Sequence, residues 1–417
     1  MRVCLVRTPA PFLINEYAFP PLGLMAVGTA LKEQGHTVHL HDGPLDATPL
    51  DSDWYGMGPT TPEYPAALLV KDTVRHFNRH ARIIIGGPHA TLNPDMCVRD
   101  GFDGVVIGDG EIAAQEAFLG IATVIHAASL PLDTYPTIDR SLIDQTKYTY
   151  LLDGRRATSM ITSQGCPFKC AFCSKNYGTV RFRSVERIAD EIHSLAVRWG
   201  YRALLFPEDL FIMRQDRCTD ICHTLKDHDL IWRCLVRGDL IVKYGPVFTN
   251  MLARTGCVEV GIGVESGSNT ILQNVRKGEK AETILQAIHM LKDCGIRVKG
   301  FFILGLPGET RETIAETRAF LEAAQLDDVD IKIYQPLPGS PIWANRAQYD
   351  ITWQDPQDLS GTFFKGRAGE YHGSLATAAL STQDIYDAWV DLESTYKNWQ
   401  KEEAHVHPVD ADCALSQ

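Results

Sequence analysis

The segment SQGCPFKCAFCSKNYG, residues 163–178, places Cys166, Cys170 and Cys173 within eight residues of one another. A structural zinc site needs four ligands in a closed shell, and the CxxxCxxC spacing offers no fourth nearby. Three thiolates instead suit a cubane iron–sulfur cluster, in which they hold three irons and leave the fourth open. The segment continues from TSMITSQ (158–164), a run that reads as a strand. Active sites of strand–helix barrels sit at the carboxyl ends of their strands, so the loop stands where chemistry is expected.

Working outward, strand-like runs recur after residue 157: TSMITSQ, ALLFPED, IWRCLVRGD, VEVGIGVES, VKGFFILGL and VDIKIYQP, with helical stretches between them. In the first such helix Val185, Ile188, Ile192, Leu195, Ala196 and Trp199 recur at three- and four-residue steps, with Ser184 as the N-cap. Six strand–helix units predict a partial (β/α)6 TIM-type barrel over 157–350. Residues 351–417 read as a small appendage holding one helix, TQDIYDAWVDLESTYKNWQ, and a polar tail.

Upstream, RVCLV, HTVHLHD, DWYGMG, RIIIGG and GVVIG read as buried parallel strands, separated by the helical stretches PLGLMAVGTALKEQG and PAALLVKDTVRHFNRH. This rhythm predicts an α/β, doubly wound, Rossmann-like domain over 1–125. Residues 126–156, polar, aperiodic and carrying Pro131 and Pro136, read as a linker.

The 417 residues carry 52 acidic against 40 basic side chains, a net charge of −12, with no basic stripe that would suit nucleic acid. The amino terminus has no signal-peptide pattern and no apolar run is long enough to span a bilayer. A cytoplasmic protein without membrane attachment is therefore expected. Eleven cysteines in such a chain point to metal ligation and buried thiols rather than disulfides. Cys218 and Cys222 lie one helical turn apart and read as core, as do Cys234 and Cys257. Cys4, Cys97, Cys294 and Cys413 form no ligand pattern, and His405 and His407 fall in the polar tail.

The cysteine loop and the strands around it resemble the radical S-adenosylmethionine (radical SAM) superfamily over about 160–345. The resemblance implies that Cys166, Cys170 and Cys173 bind a [4Fe–4S] cluster whose open iron is chelated by SAM, with reductive cleavage giving a 5'-deoxyadenosyl radical. It further implies that Glu208 and Asp209 of FPEDLF meet the SAM amino group and that Arg237 faces its carboxylate. By the same resemblance Glu265 and Ser266 meet the ribose hydroxyls, while Gly305 of ILGLPGET and Phe172 approach the adenine. Read without the family, these carboxylates could cap helices, Arg237 could pair with Asp239, and Gly305 and Gly308 could serve only as turns.

PPLGL (20–24), GGPHAT (86–91) and GDGE (108–111) resemble the subclass with an N-terminal cobalamin-binding-like domain. The Asp-x-His-x-x-Gly motif that supplies a lower axial histidine is missing: HLHDGPLD (39–46) has the wrong spacing. Cobalamin as a third cofactor is left open. Hydrogen abstraction from a small polar organic substrate, of natural-product or sugar type, followed by elimination, rearrangement or redox change such as dehydration, is the reading preferred at this point. It makes the enzyme a lyase or oxidoreductase rather than a methyltransferase. A cobalamin-dependent radical SAM C-methyltransferase is the alternative, and a non-catalytic iron–sulfur electron carrier a further one. Either enzyme requires a reductant such as flavodoxin or ferredoxin.

Overall fold

The computed structural model describes residues 1–10, 13, 15–44, 51–120, 122–174, 179–353 and 375–397. The tail histidines, Cys413 and the end of the cysteine loop, 175–178, lie outside them.

The amino-terminal half runs β1 (Arg2–Val6), α1 (Leu22–Glu33), β2 (Thr37–His41), β3 (Trp54–Met57), α2 (Tyr64–Phe77), β4 (Arg82–Ile85), α3 (Gly87–Leu92), α4 (Pro94–Arg99), β5 (Gly104–Ile107), α5 (Gly110–Phe118) and β6 (Val124–His126). Its six strands pair in parallel in the order β2-β1-β3-β4-β5-β6. Period-two alternation splits each strand between two cores. Val3, Leu5, Ile84 and Val106 pack with Leu22, Met25 and Phe118 of α1 and α5. Cys4, Val6, Ile83, Ile85 and Val105 pack with Val70 and Val74 of α2 and with Ala90 and Cys97. Both sheet faces are therefore covered, as an all-parallel sheet requires.

The order reverses at β1, which lies between β2 and β3. Ligands of such sheets bind outside the carboxyl ends of the strands at that switch point.

The second half runs β7 (Leu151–Leu152), β8 (Arg155–Ser159), β9 (Ser163–Gln164), β10 (Arg181–Phe182), α6 (Val185–His193), β11 (Ala203–Phe206), α7 (Gln215–Asp227), β12 (Ile231–Val236), α8 (Gly238–Arg254), β13 (Cys257–Glu265), α9 (Asn269–Asn274), α10 (Ala281–Asp293), β14 (Arg297–Leu304), α11 (Arg311–Ala324), β15 (Asp328–Ile333) and α12 (Pro341–Ala344). Six of these strands, β8, β11, β12, β13, β14 and β15, form a parallel sheet with β7 antiparallel at one edge. This is the expected partial (β/α)6 barrel. Ser184 caps α6 by accepting from the Arg187 N–H, and Ile188, Ile192 and Leu195 are buried, as the spacing predicts. The barrel's inner face is charged: Arg233, Glu259 and Arg297 pair there, as do Lys299, Asp328 and Asp330.

Beyond the barrel, β16 (Ile351–Trp353) pairs with β17 (Leu375–Thr377), and α13 (Thr382–Tyr396) lies against β15 through Trp389, whose indole N–H donates to the Ile331 carbonyl at 2.9 Å. The appendage is thus a helix plus a two-stranded ribbon. The Lys397 ammonium, just past α13, is buried against Asp328 and Asp330.

Residues 127–150 are stitched to both halves. Lys32 pairs with Asp139 at 2.6 Å, and the Tyr148 hydroxyl donates to Asp42 at 2.7 Å. On the barrel side the buried Arg140 guanidinium donates to the Ser159 carbonyl at 2.9 Å and to Glu191 at 3.2 Å. Removing one member of such a buried set strands its partners, at a cost of about 3 kcal/mol or more. Arg140→Ala is expected to lower the melting temperature by several degrees. Arg214→Ala, which breaks an exposed pair with Asp216, should stay within about 0.5 kcal/mol of the parent. Equal thermal shifts in the two variants would refute this assignment.

Candidate functional site

The cysteine loop leaves the barrel just beyond β8 and is closed at its neck by the β9–β10 rung, where Arg181 stands opposite Gln164 and Phe182 opposite Ser163. Gly165 has φ +90°, a left-handed turn natural to glycine, immediately before Cys166. The loop's far side is pinned by backbone: the Ala171 N–H donates to the Val275 carbonyl at 2.7 Å, and the Ile342 N–H to the Ala171 carbonyl at 3.1 Å. Cys170 is buried, with its Sγ 3.9 Å from the Lys277 carbonyl. The Arg237 guanidinium lies 3.6 Å above the Phe168 ring and donates to the same Lys277 carbonyl at 3.1 Å.

Among the described residues, two cavities open on the cysteines. One is lined by Cys166, Cys173, Gln164, Gly165, Glu208 and Asp209. The other, about 450 Å³, lies inside the barrel and is lined by Phe172, Cys173, Glu265, Phe301, Lys332 and Tyr334 among others. Among the described residues, no three His, Cys, Asp or Glu side chains close on one point as the ligands of a single ion would. A cubane makes no such demand, because each thiolate has its own iron. Three thiols on one anchored loop, with no fourth beside them among the described residues, fit a cluster with an open iron.

The residues expected around SAM fall as follows. Glu208, just beyond β11, accepts four hydrogen bonds from the backbone and hydroxyls of Thr162 and Ser163, three of them at 2.7–3.0 Å. Burial pushes its carboxyl above the ordinary range against those bonds. Arg237 pairs with Asp239 at 3.2 Å and Glu279 at 3.0 Å. Glu265 has φ +65° and pairs with the Lys277 ammonium at 2.9 Å. Gly263 makes room for that pair: a Cβ there would meet the Glu265 carboxylate at 2.6 Å and the Lys277 ammonium at 3.0 Å. The Ser266 hydroxyl is turned away from both cavities, toward Thr317 at 3.2 Å and the Ser268 N–H at 3.1 Å. Gly305 has φ +82°, and a Cβ there would press on Leu375 at 2.9 Å.

Lys277 and Glu279 escaped the sequence reading. They lie in KGEK, a charged run with the composition of a surface turn, yet both are buried. Burial works against the Lys277 ammonium, but Glu265 and Glu279 outweigh it and hold its pKa above the ordinary lysine range. Tyr334 is a third such residue, placed on the cavity wall only by the last residues of β15.

At the carboxyl edge of the amino-terminal sheet a third cavity, about 240 Å³, is lined by Gly58, Gly86, Gly87, Gly108 and Gly110, with Glu111 at its side. It runs down between Leu5, Leu24, Val27, Ile84 and Phe118, and its lining includes Gln164 from the neck of the cysteine loop. Glycines at the strand ends leave a bare backbone shelf: a Cβ at Gly58 or Gly86 would meet nothing closer than 3.5 Å. A shelf above an apolar slot fits a flat corrin with a nucleotide tail. Among the described residues, no histidine lines it. His89 is buried beneath the shelf, stacked on Tyr64 at 3.9 Å with Nδ1 at 3.2 Å from the Thr61 hydroxyl, and burial depresses its pKa to about 4.

The radical SAM superfamily matches residues 160–321 and the B12 binding domain family residues 15–118. The chain carries a radical SAM domain and, amino-terminal to it, a B12-binding domain. It is 28% identical to an uncharacterized methyltransferase of Pyrococcus horikoshii over 85% of this chain and 86% of that one. Its fold is similar to that of the radical SAM methyltransferase TsrM of Kitasatospora setae, solved with cobalamin and a [4Fe–4S] cluster bound. The TM-score is 0.69 at 15% identity, covering 85% of this chain and 81% of TsrM. The cobalamin-dependent SAM radical enzyme OxsB gives a TM-score of 0.72 at 16% identity, over 97% of this chain and 70% of OxsB.

These likenesses overturn the preference for a lyase or oxidoreductase over a methyltransferase. That preference rests on the short carboxyl-terminal region and the missing histidine motif, and the motif bears only on how a cobalamin's lower face is ligated. A carrier can be held by shape and backbone without it.

One buried acid offers a test of the site's electrostatics. Glu309, in the LGLPGET turn, is fully buried: one carboxylate oxygen accepts from the Gly305 N–H, and the other has no hydrogen-bond partner among the described residues. Burial raises its pKa from 4.5 to about 8, against two backbone hydrogen bonds. A raised acid binds its proton more tightly when folded, so its contribution to stability is full below 4.5 and is lost as pH rises toward 8. Glu309→Gln, which does not titrate, should melt a few degrees above the parent at pH 8, with the gap closing toward pH 5. A pH-independent difference in melting temperature would contradict this.

Proposed function

We propose that this chain is a cobalamin-dependent radical SAM methyltransferase acting on carbon of a small polar organic substrate. The observation that carries the reading is the shared wall: the glycine-edged cavity of the B12-binding domain reaches Gln164, two residues before the first cluster cysteine. A methyl carrier is of use only where it can approach the substrate held in the barrel. When bound, the cluster and SAM supply a hydrogen-abstracting radical and cobalamin carries the methyl group.

The chain's own residues then divide the work. Cys166, Cys170 and Cys173 hold the cluster. Asp209 meets the SAM amino group while Glu208 fixes the loop before the cysteines through its four bonds. Arg237 faces the SAM carboxylate. Glu265 accepts from the ribose hydroxyls, aimed by Lys277, and Ser266 ties the turn after β13. Phe172 and Gly305 border the adenine. The substrate occupies the barrel cavity between Phe301, Lys332 and Tyr334. An external reductant such as flavodoxin or ferredoxin supplies electrons. The cysteines of the described residues form no disulfides, and among those residues no helix is long and apolar enough to cross a membrane. We place the enzyme in the cytoplasm.

The anaerobically reconstituted chain is expected to hold about four irons in this cluster and to bind hydroxocobalamin. The cob(II)alamin form should show no axial nitrogen coupling from histidine in its electron paramagnetic resonance spectrum. Cys170→Ala should lose the iron and SAM cleavage while still binding the corrin. Gly86→Val, whose side chain would project into the third cavity, should weaken hydroxocobalamin binding at least tenfold with iron content unchanged. With substrate present, S-adenosylhomocysteine should accumulate beside deoxyadenosine. A chain that excludes cobalamin yet yields deoxyadenosine alone would sink the methyltransferase reading.

A further inference from the structure

The two halves of the molecule meet at a chain of three side chains, Asp109, Arg181 and Gln164, to which the methyltransferase reading assigns no chemical role. Arg181, opposite Gln164 in the rung at the neck of the cysteine loop, donates to the Gln164 carboxamide oxygen at 2.6 Å. The same guanidinium forks onto Asp109 of the B12-binding domain, at 2.5 and 2.9 Å, and donates to the Leu130 carbonyl at 2.7 Å. Asp109 also accepts from the Tyr135 hydroxyl at 2.6 Å. The pair is nearly sealed, with the Asp109 side chain 3% and the Arg181 side chain 10% exposed. A planar fork on a carboxylate in such surroundings fixes geometry as well as adding energy.

What lies at each end makes the chain more than a domain clamp. Asp109 sits between Gly108 and Gly110, and both line the cavity of the B12-binding domain. Gln164 lines that cavity and also the cavity bordered by Cys166 and Cys173. One half-buried carboxamide is therefore a wall of both sites, and one buried ion pair sets its orientation.

We propose that Gln164 is a positioning residue shared by the two cofactor sites, and that Asp109 and Arg181 make occupancy of one felt by the other. The proposal rests on the methyltransferase reading of the two cavities. The first ligand to arrive settles the half-buried Gln164 side chain against the Arg181–Asp109 pair. The second then binds a wall already in place, which gives positive coupling.

The test titrates hydroxocobalamin into the anaerobically reconstituted full chain, by absorbance, with and without saturating SAM. In the parent, SAM should tighten corrin binding at least fivefold, within the usual range of coupling between sites. Gln164→Met, which keeps bulk but removes the acceptor, should bring the ratio to within about twofold of unity with iron content unchanged. Gln164→Glu, which restores an acceptor for Arg181, should recover the coupling. If the Met variant loses iron, Gln164→Ala replaces it. A merely structural role would lower both affinities together and leave the ratio alone. A parent ratio of one, or a parent-like ratio in the Met or Ala variant, overturns the proposal while leaving the methyltransferase reading intact. A parent that binds no hydroxocobalamin overturns both.

Discussion

Three sulfurs on one short loop can serve a cluster only if the backbone between them is held from outside, because the loop is too short to build a core of its own. Here the anchors come from every side. The β9–β10 rung closes the neck, Val275 holds Ala171, and the strand-end carboxylate of Glu208 gathers the backbone just before the loop. Each anchor belongs to a different strand–helix unit. The parallel sheet therefore does more than carry the site at its carboxyl edge. It brings residues far apart in sequence onto one loop, and any shift in strand register would move an anchor.

The same logic explains the charge inside the barrel. A half-barrel of six strands cannot close on apolar side chains as a full barrel does. Beside an apolar patch of Ala157, Ala203 and Leu205, its inner face carries Arg233, Glu259, Arg297, Lys299, Asp328 and Asp330, paired across neighbouring strands. Such pairs are weak sources of stability but demanding of geometry. Lys397, arriving from the appendage, joins the set at Asp328 and Asp330, so the open edge beside β15 is finished by a residue outside the barrel.

What the sequence shows and what it hides follow from range. The strands, the helix after the cysteines and its Ser184 cap rest on local period and capping, so they are legible in one sequence. The cysteine loop is legible because ligand spacing is itself local. Lys277, Glu279 and Tyr334 are not, because each owes its place to burial against residues on other strands, and KGEK has the composition of a surface turn. The Asp109–Arg181 pair is hidden for the same reason: 72 residues separate its members. Ser266 shows the converse: a strand-end position suited to a ligand, whose hydroxyl the fold turns inward to Thr317.

The preference for a lyase failed at a point where local reading was sound but the inference from it was not. HLHDGPLD does lack the spacing that would put a histidine under cobalt, and the structure holds His89 away, stacked on Tyr64 and kept neutral by burial. Yet ligation of the metal is one way among several to hold a corrin. The large apolar faces of such a molecule are retained by area removed from water, which needs only a bare shelf and a slot of matching depth. Gly58, Gly86 and Gly108 provide the shelf by having no side chains, and Leu5, Val27, Ile84 and Phe118 provide the slot. A histidine motif speaks to the electronic character of the cobalt, whereas the glycine edge speaks to whether there is room for it. The second question comes first physically, and GGPHAT and GDGE were the segments that addressed it.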